Sequence, residues 1–472
     1  MEMTTPAALP VTTPSLEFDP AVIAKYDGFG PRYTSYPTAD RFHSGFTAAD
    51  YVRALQVRND ERPAQPLSLY VHLPFCNTIC FYCACNKVIT KDHGRSAKYL
   101  GYLGREIGIV SGLVEGAPPV QQLHWGGGTP TFLAREEMAA LMRILRDGFS
   151  FASDAEISIE VDPRKVSADT VAFLGSQGFN RISVGIQDFD PAVQRAVNRI
   201  QTEEETRTVI DAARAHGFSS INADLIYGLP KQTVDGFAAT LDKVIAAAPD
   251  RIALYSYAHV PHLFKPQRRI AVDELPTPEG KLAILALAID KLGAAGYTYI
   301  GMDHFAKPGD ELATAQRERK LHRNFQGYST KPDCDLIALG ISAIGKVGTT
   351  YVQNVKTLDQ YYERLDAHAL PVMRGIALDA DDVLRRSVIQ SLMCDFELEI
   401  GAIEAAHGIR FAEHFALELA ALKPLAGDGL VTVADGAIAV TPRGRLLVRT
   451  IAMQFDRHLR EAQQRTQFSR II

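Results

Sequence analysis

The chain has 472 residues, 46% hydrophobic and 22% charged, a composition that excludes a disordered or fibrous protein. Its 50 Lys and Arg against 55 Asp and Glu leave a net charge of −5, which gives no sign of a general nucleic-acid binder. Six cysteines in so long a chain exclude a disulfide scaffold, and a reducing, cytoplasmic setting is expected.

Residues 1–20 are rich in Pro and Thr and carry no Lys or Arg, so they are expected to be disordered and not a signal peptide. Residues 21–65 contain many aromatics and the string PRYTSYPTAD at 31–40, and are expected to pack on a core. From about 66 to 355 an alternation runs. Strands are predicted at Leu67–Phe75, Gln121–Trp125, Ala155–Val161, Arg181–Ile186, Ile221–Ile226, Arg251–His259 and Tyr297–Met302. Between them helices are predicted at Ala97–Leu113, Glu136–Arg146, Ala168–Gly175, Ala192–Arg199, Glu203–Ala215, Phe237–Ala247 and Pro278–Leu292. Thr202 ahead of Glu203–Glu205 starts one helix, and His216-Gly217 stops it. The longest apolar run, Leu282–Ile289, falls well short of the roughly 20 residues that span a bilayer, and reads as a buried helix face.

Six or seven such βα units imply an α/β fold with a parallel sheet, either an open or a closed barrel. In barrels the chemistry gathers at C-terminal strand ends. The unusual residues fall there too: Cys76 onward, Gly126–Thr129, Glu160, Gln187, Asp224 and His259. Beyond about 355 the texture becomes helical. Three helices over 383–425, a hairpin around Asp435-Gly436 and a last helix over about 443–459 suggest a winged-helix-like domain, 356–472. No helix in it is markedly basic, which favours a lid or packing role over DNA binding.

The string Cys76-Asn-Thr-Ile-Cys80-Phe-Tyr-Cys83-Ala-Cys85-Asn86-Lys87 follows the first strand. Thiolates are soft ligands suited to zinc or iron–sulfur centres. Structural zinc sites usually close with four ligands, often as two CxxC pairs. Three thiols with no distant fourth suit an iron–sulfur cube with one open iron, shielded by Phe75, Phe81 and Tyr82. A four-thiol zinc knuckle and inert core thiols are the alternatives. Cys85 is a possible fourth ligand or a functional thiol.

CxxxCxxC on the first βα loop is the signature of radical S-adenosylmethionine (SAM) enzymes. The longer CxxxCxxCxC followed by Asn86-Lys87 resembles the oxygen-independent coproporphyrinogen III oxidases. So do Pro31–Thr38, His124–Thr131, Gly301–Phe305, Leu321–Tyr328 and the tail Phe468–Ile472. The likeness runs from about residue 25 to the end. Ala84 departs from the glycine of many members.

The resemblance implies a partial radical-SAM (β/α) barrel with an N-terminal extension. It implies a [4Fe–4S] cluster on Cys76, Cys80 and Cys83, with SAM on the open iron as the source of a 5′-deoxyadenosyl radical. Contacts to this first SAM would come from Gly127, Glu160, Tyr70 and Ile344. A second SAM would meet Tyr82, Gly128, Thr129, Gln187, Arg199, Asp224 and Ala258. The substrate would be coproporphyrinogen III, two of whose propionates become vinyl groups to give protoporphyrinogen IX in haem biosynthesis. Arg32 and Arg323 are candidates to hold propionates, and Cys85 to act in catalysis. A reductant for the cluster and an electron acceptor are also required. No nucleic acid or membrane partner is expected, and a monomer is the default. The competing reading is the family's relative that serves as a haem-trafficking chaperone. Cys85-Asn86-Lys87 and the PRYTSYPT segment favour the oxidase.

Overall fold

The structure is a computed structural model that describes residues 16–331, 334–434, 436–461 and 468–472. Most of the 1–20 stretch and Asp435 of the expected hairpin turn lie outside the described residues. Residues 16–20 are held in place: Asp19 caps the helix Pro20–Tyr26 through the amides of Ala21 and Val22 and pairs with Arg443.

Twelve strands form one sheet. In chain order they are β1 (Leu67–Leu73), β2 (Pro119–Gly127), β3 (Ser150–Val161), β4 (Arg181–Gln187), β5 (Ser220–Tyr227), β6 (Arg251–Ser256), β7 (Thr298–Gly301), β8 (His304–Ala306), β9 (Asp335–Leu339), β10 (Ile344–Val347), β11 (Thr350–Asn354) and β12 (Val372–Ala377). Their order across the sheet is β12-β11-β10-β9-β1-β2-β3-β4-β5-β6-β8-β7. Strands β1 to β6 are parallel and adjacent in sequence order, and β9 adds in parallel beside β1. The remaining pairings are antiparallel, so the pairing leaves β12 and β7 at opposite ends of the strand order.

Helices cross between the parallel strands, among them His93–Leu113, Arg135–Gly148, Ala168–Ser176, Glu203–Ala215 and Val234–Ala247. Alternate strand residues explain which face they cover. Leu69, Val71, Leu123, Trp125, Ile157, Ile159, Ile182, Val184, Ile221 and Ala223 join one core with helix residues such as Leu103, Leu141, Leu174, Val209 and Leu241. The intervening residues are polar. Across the sheet Tyr70 stands beside His124, His124 beside Ser158, and Ser158 beside Arg181. One step on, Glu160 stands beside Ser183 and Ser183 beside Asn222. One sheet face is therefore apolar and helix-covered, while the other is a wall of hydrogen-bonding groups.

The expected caps are present. Thr202 and Glu205 form a capping box, and the helix ends at His216 before Gly217. The run Leu282–Ile289 lies in the helix Pro278–Ala294 and buries Ile284, Leu285, Ala288 and Ile289. No helix among the described residues is long and apolar enough to cross a membrane. The C-terminal part packs Ala380–Asp395, Ile400–His407 and Ala416–Gly427 with a three-stranded antiparallel sheet made by 397–399, 431–434 and 437–440. The last helix is broken into short turns over 445–461. Residues 21–65 pack through buried Tyr33, Tyr36, Phe46, Tyr51 and Leu55. Buried Arg449 binds the carbonyls of Gly30 and Pro31 on one side and of Arg470 and Ile471 on the other.

Glu106, on the helix behind β1, is buried and accepts from Gly340 N at 2.7 Å, Asn354 Nδ2 at 2.7 Å and Tyr361 Oη at 2.5 Å. Burial raises its carboxyl to about 7 against those donors. The folded chain thus keeps a proton that the unfolded chain releases near pH 4.5, and this contribution to stability is lost as pH rises toward 7. Glu106→Gln removes the titration. Between pH 4.5 and 8 its unfolding free energy should gain on the parent's by about 3 kcal/mol, measured by urea unfolding across pH.

Candidate active site

The C-terminal ends of β1 to β6 open into a cavity of about 510 Å3. Cys76, Cys80, Cys83 and Cys85 line it, with Tyr82, Gly127, Gly128, Thr129, Glu160, Gln187, Arg199, Asp224 and Ala258. An adjoining cavity of about 360 Å3 is lined by Tyr70, His72, His124, Phe325, Gln326 and Ile344. Cys85, Gly127, Glu160 and Tyr255 line both. The residues expected around two ligands thus fall along two connected cavities. Asp224 lies inside β5 rather than at its end, where burial raises its carboxyl to about 6 while Ser183 and Asn222 donate to it. Gln187 ends β4 with φ 67°, and His259 lies three residues past β6.

The thiols sit among donors. Thr129 Oγ1 lies 3.5 Å from Cys76 Sγ. Arg199 Nη1 and Arg164 Nη2 lie 3.7 and 3.9 Å from Cys80 Sγ. Lys87 Nζ binds the carbonyls of Cys83 and Cys85 at 3.0 and 3.2 Å. Burial pushes Cys76 up to about 11, whereas a hydrogen bond from Cys85 and the Lys87 ammonium bring Cys83 down to about 6. Asp162 pairs with Arg164 at 2.6 Å and Arg199 at 3.4 Å, so both guanidiniums are fixed while facing sulfur.

The glycine turn after β2 is required sterically. A Cβ on Gly128 would lie 2.6 Å from the Pro74 carbonyl carbon and 2.8 Å from the Phe75 oxygen, both backbone atoms just ahead of Cys76. Gly127 has φ 110°, and its amide donates to Glu160 Oε2 at 3.1 Å. Glu160 also meets His124 Nε2 at 3.2 Å, and His124 Nδ1 lies 2.6 Å from Ser158 Oγ. Burial opposes ionisation of Glu160, but His124 and the Gly127 amide outweigh it and hold the carboxyl below its usual range. Tyr70 stacks on His124 and hydrogen-bonds His72, which in turn meets the Asn86 carbonyl.

These features fit an iron–sulfur cube with an adenosyl cofactor. Three soft ligands face one cavity with hydrogen-bond donors on their sulfurs. The backbone approaches closely, and a carboxylate held in its charged form stands beside it. Among the described residues no three His, Cys, Asp or Glu side chains converge on a single ion, and a cube asks instead for sulfurs at separate corners.

Arg32 and Arg323 line neither cavity. Arg32 forms an ion pair with Asp303, and Arg323 donates to the Arg32 carbonyl at 3.2 Å. Arg323 is 3% exposed, leaves Nη1 unpartnered and lies over the Tyr328 ring. Sequence reading assigned no role to His72, His124, Arg164, Tyr255 or Gln267. The signal for His124 was available, because it and Ser158 fall on the Glu160 side of the period-two pattern. Nothing local marks Gln267, which comes from a loop and binds the carbonyls of Tyr82 and Ala258.

Residues 70–244 match the family model of the radical SAM superfamily, and residues 378–447 that of the HemN C-terminal domain. The oxygen-independent coproporphyrinogen III oxidase of Pseudomonas aeruginosa is 52% identical over 460 residues, 97% of this chain and 99% of that protein. The protein of the same name from Escherichia coli is 50% identical over 457 residues, again 97% and 99%. The solved structure of coproporphyrinogen III oxidase (HemN) from Escherichia coli, described as a radical SAM enzyme, matches with a TM-score of 0.90 at 48% identity, covering 94% of this chain and 100% of that one.

Gly128→Ala should push the turn off Pro74 and Phe75. A loss of about 1–3 kcal/mol in denaturant unfolding is expected, where the solvent-exposed Gly217→Ala control, with open space around its Cβ, tests only its own backbone angle.

Proposed function

This chain belongs to the oxygen-independent coproporphyrinogen III oxidase family of radical SAM enzymes, and we propose from that premise how its own residues divide the work of the reaction. It is an oxidoreductase of haem biosynthesis that converts coproporphyrinogen III to protoporphyrinogen IX. Each of two propionates gives up a hydrogen atom from its β-carbon, carbon dioxide and one electron, and becomes a vinyl group. The bound cluster and SAM supply the 5′-deoxyadenosyl radical that takes the hydrogen atom.

Cys76, Cys80 and Cys83 hold the cluster. Arg164 and Arg199 offset negative charge at Cys80, and Asp162 keeps those two groups aimed. The turn Gly127–Gly128 admits the cofactor's amino-acid end against backbone, and Glu160 receives its ribose hydroxyls as an ionised acceptor. Tyr70 and Ile344 complete that first contact set. A second SAM occupies the neighbouring space at Tyr82, Gly128, Thr129, Gln187, Arg199, Asp224 and Ala258. The acid Asp224 and the base Arg199 suit the two ends of a zwitterion. Arg32 and Arg323 hold substrate propionates, with Arg323 Nη1 as a buried donor in want of an acceptor. Cys85 lines both cavities, which supports a role for its thiol in hydrogen transfer. The chain acts as a cytoplasmic monomer, with an external reductant and a final electron acceptor.

The single observation that carries the reading is the gathering of three spaced thiols, the glycine turn and Glu160 around one cavity. The chaperone alternative is not favoured by relatives that match nearly end to end and are named oxidases.

An anaerobic assay with reductant, SAM and coproporphyrinogen III, scored for protoporphyrinogen and 5′-deoxyadenosine together, tests the whole. Cys76→Ser, Cys80→Ser and Cys83→Ser should each lose iron, while Cys85→Ser keeps iron and loses product. Glu160→Ala should weaken SAM binding by about ten-fold, the value of one charge-assisted hydrogen-bond set. Arg32→Ala and Arg323→Ala should raise KM for the porphyrinogen at unchanged iron content. Unchanged kinetics in both would remove their assignment.

A further inference from the structure

The cluster loop has an outer side as well as the side that faces the cavity. Residues 259–275 leave β6, cross over the loop and pack on it. Gln267 is buried and donates to the Tyr82 carbonyl at 3.0 Å, and Arg269 lies 5.3 Å from the Phe81 ring centre. Phe81 follows Cys80 directly and packs with Val193, Val197 and Ile270. Its amide donates to the Val197 carbonyl at 2.9 Å, and Asn198 Nδ2 donates to the Ile79 carbonyl at 2.7 Å. The crossing segment and the helix Pro191–Ala196 thus form one rim outside the cysteines.

That rim is basic and tipped with apolar side chains. Lys265, Arg268, Arg269 and Arg195 are exposed, and among the described residues no carboxylate pairs with them. Of the two acids in the same segment, Glu274 is taken by Lys231 at 3.1 Å and Asp273 is exposed, so the rim carries four cations against one open carboxylate. Leu263, Val272 and Ile200 are 60%, 64% and 65% exposed. In a chain of net charge −5 a cluster of unpaired cations beside exposed aliphatic groups is a local exception. Such a pattern steers an anionic protein and gives it an apolar contact.

We propose that this rim, centred on Lys265, Arg268 and Arg269, is the docking surface for an acidic one-electron carrier protein that reduces the cluster. The proposal rests on the cluster assigned above. In each encounter the carrier loses one electron and the cluster gains one, and no atom or proton need cross the interface. Phe81, under Arg269 and bonded to Cys80, supplies a covalent route inward from the rim.

The test compares the anaerobic holoenzyme with Lys265→Glu/Arg268→Glu/Arg269→Glu. Affinity for oxidised flavodoxin and for a [2Fe–2S] ferredoxin is measured by calorimetry at low ionic strength. Cluster bleaching by each reduced carrier and by dithionite is followed in stopped flow. The proposal expects about ten-fold weaker binding and slower bleaching with at least one carrier, the larger loss naming the carrier type, with a smaller gap at high salt. Bleaching by dithionite and iron content stay as in the parent, which separates this result from failure of the cluster assignment. Equal affinity and equal bleaching with both carriers overturn the proposal. So does a raised KM for coproporphyrinogen under dithionite, which would make the rim an entry for the anionic substrate. If the triple variant loses iron, Lys265→Gln/Arg268→Gln leaves Arg269 on Phe81: about three-fold weaker carrier binding supports the surface, and unchanged binding overturns it.

Discussion

The arrangement depends on strands that are apolar on one face and polar on the other. Parallel strands in most folds are covered on both faces and read as continuous apolar runs. Here two alternate residues in each of β1 to β5 are polar: Tyr70 and His72, Gln122 and His124, Ser158 and Glu160, Arg181 and Ser183, Asn222 and Asp224. The sheet stays stable because the other set closes on the helices in a single core. The polar set then satisfies itself laterally, as in His124 with Ser158 and Glu160, or Asn222 with Ser183 and Asp224. A radical reaction on a charged, hydroxyl-rich cofactor and a carboxylated substrate needs such a wall. A one-residue slip of register would replace it with leucine and isoleucine.

The same constraint sets the charge balance near the thiols. Cys80 has two guanidiniums within 4 Å, and both are fixed by Asp162, which lies two residues past Glu160 on the same side of the chain. Glu160 itself faces the glycine turn through the Gly127 amide. Thus β3 carries the acid that meets the turn, and the residue just past its end is the acid that aims the arginines. The turn must be glycine because the chain entering the cysteine loop passes directly beneath it.

Much of this was legible before any coordinates. The first six strands and the helices between them follow from period-two and period-3.6 patterns, and Thr202 marks one helix start to the residue. Limits differ by several residues, as at Ser150–Val161 and Arg251–Ser256, and the antiparallel strands over 344–377 were not expected. The cysteine spacing and the glycine run stand out because both are local, although spacing alone left a zinc knuckle and inert thiols open beside the cluster. What escaped is non-local. Arg164 looks like an ordinary cation until the fold sets it beside Cys80, and Arg199, expected only at a second SAM, also meets that sulfur. Gln267 belongs to a loop with no periodicity, and its two carbonyl partners lie 9 and 185 residues away. The breaking of the expected 443–459 helix into short turns follows Arg449, whose guanidinium binds carbonyls of two other segments and so fixes its own backbone to them.

Arg449 also ties distant ends of the chain together. It holds the carbonyls of Gly30 and Pro31, and the tail 468–472 pairs back onto Gly28, Phe29 and Gly30. Tyr33 and Tyr36 extend the contact to Asp456 and Arg457. Arg32 lies between these anchors with little freedom left in its backbone; its side chain pairs with Asp303, and its carbonyl accepts from the Arg323 guanidinium. Two cations brought close in a buried place repel each other. Burial and the Arg323 charge accordingly lower Arg32 to about 10, and Tyr255, Tyr227 and Tyr328 offset only part of this. Asp303 relieves one of the two charges.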